Sequence, residues 1–135
     1  MIRRLDDRTL VSGQIAPEDV AGLAGQGITM LVNNRPDGEE AGQPMAADLE
    51  AAAEQAGIAY RHVPIIRGIG PADVEAMQEA IGAAGDGQML AFCRSGMRSA
   101  LASALAQRGQ GVSREEVEQR LAAAGFDSGP ISHLL

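Results

Sequence analysis

Aromatic side chains are nearly absent from this sequence. Tyr60, Phe92 and Phe126 are the only three in 135 residues, and there is no tryptophan. The core is therefore expected to be aliphatic and alanine-rich, with few rings to stack on a flat ligand. Cysteine occurs once, at Cys93, which excludes an intrachain disulfide and fits a reducing compartment. It also removes any internal resolving thiol, so an adduct on Cys93 must be discharged by an outside molecule. No run of basic residues occurs and the net charge is −7, which argues against nucleic acid or an anionic membrane as partner. No apolar run approaches the roughly 20 residues of a membrane span, and the start MIRRLDDRT has no apolar leader core. A cytoplasmic location is the expectation. With one cysteine, neither His62 nor His133 completes a metal-ligand spacing, so no metal and no other cofactor is expected.

What is present is a regular alternation of short apolar runs and helical patterns. Thr9–Ile15, Ile28–Val32, Ile58–Ile66 and Met89–Phe92 read as strands. Helices are expected from Pro17 to a stop at Gly27, from Pro44 to Ala56, and from Pro71 with Val74, Met77 and Ile81 on one face. Two more begin near Met97 and after Ser113, where Ser113 and Glu116 fit a capping box. The tail Phe126–Leu135 carries no clear pattern. Strands alternating with helices imply a single α/β domain over residues 1–135: a three-layer sandwich with a mostly parallel sheet of about four to five strands. Ligands of such sheets bind beyond the carboxyl ends of the strands. That places the Cys93 loop, the polar segment Asn33–Glu40 and the turn Arg67–Gly70 on one edge.

The stretch from Gln88 to Gln107 carries the chemistry. A strand ends at Phe92, a helix starts near Met97, and Cys93-Arg94-Ser95-Gly96 joins them. Such a junction turns backbone N–H groups and the helix dipole toward one point, a cradle for an anion and a setting for a nucleophilic thiolate. Arg94 and Arg98 add full charge, and Arg98 can hold two oxygens at once. Ser95 and Gly96 let backbone approach a ligand, Met97 borders the pocket, and the Ser99 hydroxyl is a candidate donor to the sulfur. Asn33, Asn34, Arg35, Asp37 and Arg67 are candidate lining residues, with solvent the expected surroundings of Arg35 and Arg67. Asp37, Glu39 and Glu40 compete between a solvated acidic turn and a general acid. His62 is a minor candidate base.

The segments QIAPEDV, NNRPDGEE and AFCRSGMRSA, in that order, resemble the beta-lactamase-hydrolase-like family, whose fold is similar to the dual-specificity tyrosine phosphatases. The resemblance implies a tyrosine-phosphatase-like sheet, Cys93 as nucleophile and Arg98 as anion clamp. It also implies a possible partnership with sulfur-oxidising metalloenzymes. Two features depart from phosphatases of this fold. Four residues, not five, separate Cys93 from Arg98, which is the loop length of rhodanese sulfurtransferases. The segment that carries the phosphatase acid reads Ile66-Arg67-Gly68, with no carboxylate before Asp73.

The preferred expectation is a sulfurtransferase. Cys93 takes sulfane sulfur from thiosulfate or a persulfide and passes it to an external thiol, a route that needs no general acid. The alternative is a phosphomonoester or tyrosine phosphatase acting on a phosphate ester through a phosphocysteine. A non-catalytic anion-binding module is the third.

Overall fold

Gln88–Phe92 (β5) is apolar at four of its five positions, and those four are buried. A run buried on both faces belongs in the middle of a parallel sheet. The computed structural model, which describes Ile2–Leu135, puts it there. Ile2–Arg4 (β1), Thr9–Ser12 (β2), Ile28–Asn33 (β3) and Ala59–His62 (β4) complete a five-stranded sheet in the order β1-β2-β5-β3-β4. Only β1 runs antiparallel to its neighbour.

Strand alternation divides the core in two. Val11, Met30, Val32, Met89 and Ala91 face the helices Pro71–Ala83, Met97–Gly109 and Arg114–Ala123. Leu10, Leu31, Leu90 and Phe92 face Val20–Gly25 (α1) and Ala46–Ala56 (α2) on the other side. The first three helices are numbered α3, α4 and α5. Three layers result, as expected, and the carboxyl ends of β2, β3 and β5 open onto one edge.

Three expectations are corrected. The lead-in Ile2–Arg4 is a strand: its three exposed residues show no alternation, and it forms only because β2 presents an edge to pair with. The first predicted strand ends at Ser12, not Ile15. The strand expected through Ile66 ends at His62, because Pro64 has no N–H to donate. The ladder nevertheless continues past it, with Val63 and Ile65 donating to the carbonyls of Asn33 and Asn34. The tail contains a 3₁₀ turn, Gly129–Leu134, anchored by buried Ile131. Among the described residues no helix is long and apolar enough to cross a membrane.

The spacing of Leu101 and Leu105 predicts one apolar face for α4, but every residue from Ser99 to Gln107 is buried. Its alanines and serines let β5, α3 and α5 close in from all sides. Replacing Ala102, which has no exposed surface, by leucine forces extra volume into that packing. Urea unfolding of Ala102→Leu should show a loss of about 1–3 kcal/mol, and unchanged stability would mean that the helix has slack.

Candidate functional site

Gly96 makes the junction. Its φ of +97° is left-handed, a conformation that L side chains rarely adopt. The turn directs the Gly96 N–H onto the Cys93 sulfur, N to Sγ 3.1 Å. A neighbouring strand end braces the loop from below. Gln14 N–H donates to the Arg94 carbonyl and Cys93 N–H donates to the Ser12 carbonyl. A Cβ on Gly13 would come within 2.9 Å of the Arg94 carbonyl oxygen. The segment 12–14 is thus part of the site, unnoticed in the sequence because Gly13 falls inside the strand expected over Thr9–Ile15. Among the described residues, the N–H groups of Arg94, Ser95 and Arg98 meet no protein acceptor. Cys93 itself has no exposed surface.

The two loop arginines part company. Arg98 turns in, and its protonated form is strengthened first by the Glu39 hydrogen bond, against burial, with the Cys93 sulfur adding attraction. Arg94 turns out instead of adding charge to the cradle. Its side chain is 68% exposed and reaches only the Glu40 carboxylate, at 3.4 Å.

A guanidinium has five N–H donors. Arg98 spends two on the Glu39 carboxylate, Nη1 to Oε2 at 2.6 Å and Nη2 to Oε1 at 2.9 Å. Nη1 gives a third to the Ile65 carbonyl at 3.0 Å. The Nε–H and the second Nη2–H remain. They share one edge of the planar group, so they can take two oxygens of one anion side by side.

Arg35 is buried, not solvated as expected. Its guanidinium donates to Glu39, Glu40 and the Gln14 amide oxygen, each at 2.9–3.0 Å. Glu39 therefore bridges Arg98 and Arg35 with one carboxylate. The Arg98 hydrogen bond is the largest cause holding it well below the usual range, at about 2, with Arg35 adding to it against the cost of burial. A carboxylate so held has no proton to give near neutral pH. Asp37 is also committed, accepting the Ala46 N–H at the start of α2 at 2.8 Å. Glu40 is tied to Arg35 and Arg94. Sequence reasoning weighed Glu39 as an acid and missed it as the partner of Arg98, because a loop-to-loop bridge over 59 positions leaves no spacing to read.

The asparagines hold the frame. Asn34, fully buried, donates to the Val63 carbonyl and accepts the Ser99 hydroxyl at 2.8 Å. Ser99 is therefore not a donor to the sulfur as expected; the buried amide oxygen is its partner. Asn33 binds the Tyr60 hydroxyl through Nδ2 and the Arg35 N–H through Oδ1. His62 Nε2 lies 2.9 Å from the Arg35 carbonyl, on the sheet edge. Arg67 is exposed beside Gly68. Ser95 and Met97 line, with Arg98, a cavity next to the loop.

A mostly parallel sheet with a cysteine-to-arginine loop at the central strand–helix junction is the tyrosine-phosphatase-like class of domain. Residues 1–110 match the family model "Beta-lactamase hydrolase-like protein, phosphatase-like domain", and the chain belongs to that family. The Beta-lactamase hydrolase-like protein of Xylella fastidiosa is 40% identical over 127 residues, 93% of this chain. The chain spans only 29% of the length of that relative. A crystal structure of a candidate phosphatase from Neisseria meningitidis superposes with a TM-score of 0.82 at 34% identity, covering 98% of this chain and 95% of that one. Kinase associated phosphatase, whose catalytic site has a cysteine, shares the fold at 19% identity. Its TM-score is 0.73, with 98% and 89% of the two chains covered.

The depressed Glu39 carboxyl carries a sign that can be tested. Folding favours its ionised form, so its contribution is complete above the ordinary value of 4.5 and fades as pH falls toward 2. The melting temperature of wild type should exceed that of Glu39→Gln by a constant margin above about pH 5 and by progressively less below it. A margin that does not change with pH would sink the ionic account.

Proposed function

We propose that this domain hydrolyses phosphate monoesters through a phosphocysteine on Cys93. The observation that carries the reading is the pairing of the Cys93 sulfur under the Gly96 N–H with an Arg98 edge still free for two oxygens. The phosphatase names among its relatives and fold neighbours favour phosphate ester over sulfur donor as the substrate. In the reaction the thiolate attacks phosphorus, forming the S–P bond as the ester P–O bond breaks. The loop N–H groups and the free Arg98 edge bind the equatorial oxygens as charge builds. Water then attacks phosphorus, releasing inorganic phosphate and restoring the thiolate. Arg35 acts as a positioning residue, holding Glu39 so that Glu39 fixes Arg98.

Glu39 is held ionised by Arg98 and Arg35, and the Oδ1 of Asp37 is turned to the Ala46 N–H. The departing group must leave as its own anion or take a proton from water, so the rate should depend steeply on leaving-group pKa. p-Nitrophenyl phosphate should be turned over at least ~10²-fold faster than ethyl phosphate, the size of a missing general acid. Cys93→Ser should reduce both to background. Similar rates for the two esters would mean that an acid acts after all.

Sulfane sulfur transfer remains the second reading, favoured by the loop of four residues between Cys93 and Arg98 and by the same lack of an acid. In that reaction Cys93 displaces sulfite from thiosulfate, and an external thiol then removes the sulfur. Intact mass after incubation with thiosulfate separates the two readings. A single added sulfur, lost in Cys93→Ser, selects transfer, and an unchanged mass with aryl phosphate turnover selects hydrolysis.

A further inference from the structure

Two hollows border the leucines of α4, Leu105 and Leu101. The larger, about 720 Å³, runs between α3 and the far end of α4 and does not reach Arg98. The smaller, about 450 Å³, is lined by Ser95 and Arg98 together with Met97, Leu101, Ile131 and Leu134. It is thus continuous with the anion loop, yet mostly apolar, within the size range of small-molecule sites. Its walls come from the segment after β4 and from the 3₁₀ turn Gly129–Leu134. Those two segments also hold Ile66, 73% exposed, and Leu134, 51% exposed. They are two of the four large apolar side chains left open to water among the described residues. The turn lies beyond residue 110, where the family-model match ends.

We infer that this cavity seats the organic group of the substrate, and that the preferred esters are those of apolar aryl alcohols of two fused rings or similar size. The inference rests on the anion-cradle reading of Cys93 and Arg98. An anion held by the loop and Arg98 has this cavity beside it, sharing Ser95, Met97 and Arg98 as wall, and can present its ester oxygen there. Met97, Leu101, Ile131 and Leu134 reward a flat hydrocarbon group there, while away from the loop His133 is the one polar side chain on the wall, too few partners for the hydroxyls of a sugar or glycerol. The missing acid points the same way, because phenols leave more readily than alkyl alcohols.

The test is binding of 2-naphthyl phosphate, phenyl phosphate and inorganic phosphate to Cys93→Ser protein by calorimetry, in otherwise wild-type and Leu134→Ser forms. Leu134 lies half exposed at the rim, so its replacement should leave folding intact. The second ring should tighten binding about tenfold over phenyl phosphate, given the apolar area buried. Leu134→Ser should cut that ratio to about threefold or less, with inorganic phosphate bound as before. Equal affinity for the two aryl esters overturns the inference, as does a ratio that ignores Leu134. If the ranking holds but the enzyme with Cys93 intact releases no phosphate from either ester, the hydrolytic reading falls while the cavity assignment stands. Failure to bind any of the three overturns both.

Discussion

Three of the five donors of Arg98 are spent before any ligand arrives, and the rest of the site follows from where they go. Glu39 takes one end of the guanidinium and the Ile65 carbonyl takes a flank, so the group can turn only one remaining edge toward the sulfur. An arginine without such partners would sample many rotamers and lose entropy on capturing an anion. Here most of that ordering is complete in the folded chain. The same carboxylate lies against buried Arg35, whose other donors go to Glu40 and Gln14. Glu39 and Glu40 thus match Arg98 and Arg35, and the pull on an anion comes from the free Arg98 edge and the loop N–H groups.

The layered architecture was legible because it is written in local pattern. Met89–Phe92, bounded by Gly85 and Gly87, reads as a buried strand, and the alternation of apolar runs with helical periods named the fold class. The cysteine, the left-handed Gly96 and the inward Arg98 were also within reach, since they lie within six consecutive positions. What stayed hidden was made by distant partners. Arg35 looked solvated because nothing in NNRPDGEE says that the loop folds back over its own arginine. Ser99 looked aimed at the sulfur because Asn34, its true partner, is 65 positions away. β1 was invisible because an exposed edge strand of three residues has no periodicity to display.

The shortened loop and the missing acid are better understood together. With four residues between Cys93 and Arg98, α4 begins one residue after the left-handed turn, and Arg98 sits in its first turn. The helix dipole, the loop N–H groups and the guanidinium thus act from nearly one direction. Such a site stabilises negative charge on a bound group but supplies no proton to a departing one.

The interior position of α4 has a further consequence for how this domain can change. A helix hemmed in from Ser99 to Gln107 and joined to the central strand tolerates little growth on its alanine faces, away from the hollows at Leu101 and Leu105. Cys93 and Arg98 are tied to that packed unit, so room for change lies in the pieces resting on it. Here those pieces are the acidic loop after β3, the turn after β4 and the short 3₁₀ coil near the carboxyl end. Those pieces, and not the packed unit beneath them, are where this fold has room to vary what lies beside the loop.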